Sequence, residues 1–261
     1  DQKVDIPDDG YTVTPNGARF TKEYQGFLPG LMDKFYTDRV KFKKLTLEAK
    51  QKYEDTKEPK YLKDISKFNN IQMARKIALN SAYGAMGNQY FRYYDERVAI
   101  AITTSGQLSI RWIEEKVNGY LNKILETENE DYIIASDTDS IYVTFDELVR
   151  KSFNGRTVST EKIISFLDSV AKKKLEPFID ESYKDLATYV KAYAQKMEMK
   201  REIIADKGIW TAKKRYILNV HDSEGVRYKE PKLKIMGIEA VKSSTPEPCR
   251  DKIKEALRVI I

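Results

Sequence analysis

Residues 132–145 read Tyr132-Ile133-Ile134-Ala135-Ser136-Asp137-Thr138-Asp139-Ser140-Ile141-Tyr142-Val143-Thr144-Phe145. An apolar run meets a tight acidic cluster, and a second apolar, β-prone run follows at once. Two such runs around a short polar turn predict a β-hairpin. Its tip carries Asp137 and Asp139. Carboxylates held on a stiff turn suit a hard cation such as Mg²⁺, which takes oxygen ligands and keeps positions open for phosphate. Asp, Ser and Thr are also ordinary turn formers, so the hairpin taken alone favours a solvated turn.

Working outward, residues 98–127 precede the hairpin as a helix, with Leu108, Ile110, Trp112, Ile113, Val117, Tyr120 and Leu121 on its apolar positions. Further back, residues 30–56 and 64–85 read as two helices broken at Lys57-Glu58-Pro59, a long basic helical hairpin. Residues 1–28 are irregular to β, with Pro15-Asn16-Gly17 as a hairpin turn. After the acidic hairpin, helices are expected over 160–174 and 178–195. Strands follow at 197–205, 209–220 and 226–235, then an amphipathic helix from Pro246 to Ile261. The fold class is α+β: an antiparallel sheet with packed helices, plus a protruding two-helix hairpin.

The second of those two helices carries Lys76, Asn80, Tyr83 and Gly84. At about 100° per residue, Asn80 and Tyr83 fall at about +40° and about −20° from Lys76, so a cation, an amide and a phenol share one stripe. Lys can hold a phosphate and Tyr offers a flat face to a base. A packed Tyr beside a solvated Lys makes the same pattern. Arg39 and Lys43 share a face of the first helix, although Lys34, Lys41 and Lys44 make that region basic in general.

Composition narrows the classes. The chain has 261 residues and a formal net charge of +6, which permits nucleic-acid binding without requiring it. Cys249 is the one cysteine, so no intrachain disulfide is possible and a reducing cytoplasm is expected. His221 is the one histidine. A zinc site is excluded on these counts, and any metal must be held by oxygen. Apolar runs fall short of a membrane span and no secretory signal opens the chain.

Taken in order, Lys76-x-x-x-Asn80-Ser81-x-Tyr83-Gly84, then Asp137-Thr138-Asp139-Ser140, then Lys213-Lys214-Arg215-Tyr216 resemble the motif series of family B DNA polymerases. Tyr90 to Asp95, Leu233 to Gly237 and Ser243 to Pro246 are similar to the replicative members from T-even-type bacteriophages. The resemblance implies a segment leading into the palm (1–28), a fingers hairpin (29–88), a palm (89–245) and the start of a thumb (246–261). It implies that Arg39, Lys43, Lys76 and Asn80 hold the triphosphate of a dNTP and that Tyr83 packs on the nascent base pair. Asp139 becomes a catalytic metal ligand with Asp137 in support. Lys213, Lys214, Arg215 and Tyr216 become the grip on primer–template DNA, and Glu202 an accessory carboxylate. Ala135-Ser136 stands where the family usually shows Tyr-Gly, which puts the turn geometry in question.

The implied reaction is phosphoryl transfer to a primer 3′-hydroxyl with two Mg²⁺ ions. Such sites draw a second Asp from a segment of the type Asp-x-x-Ser-Leu-Tyr-Pro-Ser, for which no match occurs in residues 1–261, nor for a 3′–5′ exonuclease domain. The expectation is therefore a fingers and palm portion that needs a partner chain, or more N-terminal sequence, to complete the site. That portion is expected in the cytoplasm, the bacterial host's if phage-encoded. The alternative is a non-catalytic DNA-binding module of polymerase ancestry. The retained Asp137, Asp139, Lys76, Asn80, Arg39 and Lys43 favour the enzyme.

Overall fold

The computed structural model describes residues 4–261, so the first three residues of the expected palm-leading segment lie outside it. In chain order the elements are β1 (Tyr11–Val13), β2 (Arg19–Thr21), α1 (Phe27–Thr56), α2 (Lys60–Met86), α3 (Glu96–Leu125), β3 (Ile133–Asp137), β4 (Ser140–Val143), α4 (Asp146–Ser152) and α5 (Thr160–Val170). A π-helical turn (Ala171–Leu175) joins α5 to α6 (Glu176–Tyr189). Then come β5 (Ile203–Ala212), β6 (Arg215–Ser223), β7 (Val226–Met236), a 3₁₀ turn (Glu239–Val241) and α7 (Glu247–Ile260). The fold is α+β, with small antiparallel sheets. Among the described residues no helix is long and apolar enough to cross a membrane.

The chain forms two compact units. The first gathers the described residues up to Lys43 with Phe68–Val158 and Lys172–Lys200. Its core is a stripe on α3 (Ile113, Val117, Leu121, Leu125) packed on Ile179, Tyr183 and Leu186 of α6 and on Tyr132. The spacing of four on α3 is the helical repeat of one buried face. Tyr120 stacks on Phe178 at 4.3 Å between ring centroids, and Trp112 Nε1–H donates to the Ser182 carbonyl at 2.9 Å. Asp95 caps α3 by accepting the Arg97 N–H at 2.9 Å.

The β3–β4 hairpin stands on this core, with Ile133, Ile141, Val143 and Phe145 packed against it. Two asparagines of α3 fix where β3 begins. Asn118 Oδ1 accepts the Tyr132 N–H at 2.9 Å, and the Asn122 amide brackets Glu130 at its N–H and its carbonyl.

The second unit combines Lys44–Lys67 with Ser159–Ala171 and Arg201–Ile261. Its sheet runs β5-β6-β7, antiparallel throughout. Ile217, Ile238, Ala240 and Leu257 form the core beneath α7. A buried ionic network joins α5 to the sheet: Asp222 is 1% exposed and takes both Arg201 and Arg227, while Arg201 also pairs with Asp168. The far end of α1 docks here too. Gln51 Oε1 accepts the Arg227 N–H at 2.9 Å, and Glu54 pairs with Lys232 and Lys57.

Several expected boundaries move. The helices expected over 160–174 and 178–195 are one continuous helical run that ends at Tyr189. Pro177 lacks an N–H to continue an α-helical ladder, and the π turn immediately before α6 absorbs the mismatch. The run stops where Lys191 turns left-handed (φ 54°) and the Val190 carbonyl accepts from Val13 N–H of β1. The strand expected from residue 197 starts at Ile203, because Gln195 bonds both backbone groups of Met197 and leaves no ladder there. Helix α4 was not expected. The strand expected over 209–220 is interrupted by a hairpin turn at Lys213 and Lys214.

Candidate active site and nucleic-acid interface

In the acidic hairpin Asp137 pairs with Ser140, so the turn holds only Thr138 and Asp139. Two-residue turns of this kind ask for positive φ, usually supplied by Asn or Gly. Thr138 adopts φ 58° instead, a strained choice for a β-branched residue that costs on the order of 1–3 kcal/mol. Three hydrogen bonds hold it. Asp139 N–H donates to the Asp137 carbonyl at 2.6 Å, Thr138 Oγ1 donates to Asp137 Oδ1 at 3.0 Å, and Ser140 Oγ donates to the Asp137 carbonyl at 3.2 Å. Asp139 is exposed and Asp137 half-buried. The register shifts by a bulge between Ile133 and Ala135, yet the turn closes with Ala135-Ser136 in the leading strand.

The charge of Asp139 is felt by Tyr183 of α6, whose phenol is pushed up to about 12, first by burial and then by that carboxylate. Nothing in the sequence marked Tyr183. It reads as one apolar position of an amphipathic helix.

Two carboxylates are a fitting donor set for part of a Mg²⁺ shell, since the ion keeps water and phosphate in the remaining positions. Among the described residues no group of three or more His, Cys, Asp or Glu side chains is placed to hold a metal ion. On its own the pair could supply only part of such a shell.

In the same unit lie Arg39 on α1 and Lys76, Asn80 and Tyr83 on α2. Lys76, Asn80 and Tyr83 are all exposed, as one stripe of α2 predicts. Arg39 and Lys43 are half-buried on α1. The Arg39 Nε is fully buried without a hydrogen-bond partner, an orphaned donor of the kind an anion satisfies. Lys76's neighbour Arg75 turns the other way. It pairs with Asp38 of α1 at 3.5 Å and lies 5.6 Å over the Phe35 ring, while Phe42 and Phe68 approach at 6.4 Å. These interactions hold the two helices side by side and so fix which face carries Lys76. A lone Arg among many basic residues gave no signal of that role.

The Lys213–Tyr216 stretch departs from its expected geometry. Strand β5 ends at Ala212 and β6 begins at Arg215, so Lys213 and Lys214 form the turn and the expected alternation of faces across the four residues does not occur. Lys214 takes φ 60°. Lys213 and Lys214 are exposed at the tip, whereas Tyr216 is 4% exposed and packs on Trp210 at 6.2 Å. Gly237 (φ +66°) makes the arrangement possible, because a Cβ there would collide with the Lys214 carbonyl. Arg215 reaches Glu239 at 2.6 Å.

Glu202 is exposed just before β5, and its carbonyl accepts the Glu224 N–H at 2.5 Å. It belongs to the second unit and the acidic turn to the first.

The sequence profile of DNA polymerase family B matches residues 2–261. The chain belongs to DNA polymerase family B. It is 38% identical over 301 residues to the DNA-directed DNA polymerase of Escherichia phage RB69, a match covering 97% of this family B chain and 33% of that protein. Against the DNA-directed DNA polymerase of Enterobacteria phage T4 it is 36% identical over 304 residues, covering 98% and 34%. DNA polymerase 1 of Pyrococcus abyssi (strain GE5 / Orsay) is 27% identical over 252 residues, covering 96% and 26%. The chain thus spans about a third of the length of the phage relatives it matches.

Proposed function

We propose that this chain is the fingers and palm portion of a DNA-directed DNA polymerase. The observation that carries the proposal is the co-occurrence, within one compact unit, of the strained Asp137–Asp139 turn and the portions of α1 and α2 that bear Arg39, Lys76, Asn80 and Tyr83. A module that only bound DNA would have no use for acidic side chains held by strain at an exposed tip.

On this reading α1 and α2 are the fingers, with boundaries near 29 and 88. The palm runs to about 245 and α7 begins the thumb. Lys76, Arg39 and Lys43 hold the triphosphate of the incoming dNTP through charge-assisted hydrogen bonds. Asn80 adds an amide, and Tyr83 offers its ring to the nascent base pair. Asp139 and Asp137 hold Mg²⁺, with Asp139 the principal ligand because it is the more exposed. Bound divalent cations supply activation of the primer 3′-hydroxyl and neutralisation of the departing pyrophosphate. The protein's own share is positioning: helices zipped by Arg75 present the triphosphate, and the stiff turn keeps its carboxylates in place without reorganisation. Lys213, Lys214 and Arg215 grip the primer–template backbone, while buried Tyr216 supports them from within the sheet. Glu202 remains an accessory carboxylate. A second catalytic Asp comes from a partner chain or from sequence beyond this third of the polymerase.

The test is thermal denaturation with primer–template, with and without dNTP plus Mg²⁺. Stabilisation that requires both ligands, and that disappears in the Lys76→Ala variant, supports the reading. No dNTP-dependent shift in the parent overturns it.

A further inference from the structure

Glu239 lies on the 3₁₀ turn after β7, between Ile238 (9% exposed) and Ala240 (1% exposed). Both neighbours are anchored in the core beneath α7, so the glutamate side chain is held outward on a short, fixed backbone. Its two oxygens are used separately. Oε2 accepts Arg215 Nη2 at 2.6 Å, and Oε1 accepts Lys242 Nζ at 3.0 Å. All three side chains are between a third and a half exposed. Gly237 brings this turn against the β5–β6 turn, its α-carbon so close that an added Cβ would stand 3.2 Å from Arg215 Cγ.

We infer that Glu239 is a positioning residue: its carboxylate holds Arg215 and Lys242 side by side as a pair of cations that meets the phosphates of a nucleic-acid strand. Two cations around one anion leave a net positive charge facing solvent, with both long side chains already ordered. Free lysine and arginine side chains lose rotamer entropy on binding; here that loss is already incurred in the unbound protein. The carboxyl is held down to about 2, chiefly by Lys242, with Arg215 adding to the effect. The inference rests on the reading that the β5–β6 turn grips DNA.

The test exploits a conflict of signs. Glu239→Gln removes a negative charge from a DNA-facing surface, and simple charge counting makes binding tighter. Positioning makes it weaker. Primer–template affinity is measured by fluorescence anisotropy across a salt series on the full polypeptide. Arg215→Ala and Lys242→Ala serve as controls for the underlying reading. The expected result is binding about two- to fivefold weaker for Glu239→Gln, with the log K versus log[salt] slope reduced in magnitude by up to about 0.9 for each phosphate no longer neutralised. Unchanged or tighter binding by Glu239→Gln, with both controls weakened, overturns the positioning role alone. Unchanged binding by both controls overturns the DNA grip beneath it. If Glu239→Gln also melts at lower temperature, Glu239→Asp decides. Affinity restored toward the parent supports positioning, and affinity as poor as the Gln variant's overturns it.

Discussion

Asp139 and Tyr183 are electrostatic neighbours: the exposed carboxylate at the hairpin tip raises the proton affinity of a buried phenol on α6, adding to the larger effect of burial. A group whose pKa is raised on folding binds its proton more tightly in the folded state. Its stability contribution is therefore complete below the unfolded value of 10.0 and is lost as pH rises from there through about 12. Replacing Asp139 by Asn should lower the Tyr183 titration midpoint but leave it above 10.0, because the burial effect persists. Ultraviolet difference titration against a Tyr183→Phe control reads the shift directly, and an unmoved midpoint would separate the two residues.

In the assembled polymerase, Asp139→Ala should abolish detectable primer extension while primer–template binding survives. Asp137→Ala should slow extension less, because Asp137 is half-buried and its Oδ1 already accepts the Thr138 hydroxyl within the turn. Near-normal turnover by Asp139→Ala in a single-turnover assay would remove it from the metal site.

Lys76→Ala and Arg39→Ala should each lower kcat/KM for dNTP. A charge-assisted hydrogen bond to phosphate is worth roughly 1.5–3 kcal/mol, which corresponds to about tenfold to a hundredfold. Part of the loss should appear in kcat on the proposed reading, in which the helical hairpin closes on the dNTP to complete the site. Identical pre-steady-state kinetics for both variants would return them to an ordinary basic surface.

The buried Asp222 should matter to stability and not to chemistry. Asp222→Ala takes one carboxylate from Arg201, which keeps Asp168, and an ion-pair partner from the half-buried Arg227, a loss of up to about 3–5 kcal/mol by analogy with broken buried pairs. Urea denaturation measures it, and a change within about 0.5 kcal/mol, the ordinary range for a surface position, would contradict the network's role.

The purified 261-residue chain should not extend primers by itself, because two carboxylates hold only part of a two-cation site. Adding a polypeptide that supplies the exonuclease domain and the second Asp should restore synthesis. Robust extension by the chain alone would refute this.

The acidic hairpin was legible because its signal is local: alternation sets the strands and the polar quartet sets the turn. The long helices were legible for the same reason, and the break at Lys57 is local too (φ 58°). What escaped depends on partners distant in sequence. Nothing in Lys213 to Tyr216 marks a turn, since lysine has no preference for φ 60°. The conformation belongs to the two-residue turn between the paired Ala212 and Arg215, and the close approach of Gly237, well downstream in the chain, leaves room for it. Asp222 sits within a strand and reads as a surface residue until Arg201 and Arg227 are seen to enclose it. Within the candidate site, the stripe on α2 could be worked out from helical geometry. Arg39 stands out from its many basic neighbours on α1 by the family resemblance, since the pattern of basic residues alone does not separate it from Lys34, Lys41 and Lys44.

The acidic turn has a further consequence, for variation. Only Thr138 and Asp139 lie between the paired Asp137 and Ser140. A single-residue insertion at the start of β4 would reverse the facing of the residues beyond it, lifting Ile141 and Val143 off the α3–α6 core. Substitutions here change chemistry one side chain at a time, whereas a change of length dismantles the support for both carboxylates at once. Across related sequences this locus should therefore drift in identity before it drifts in length.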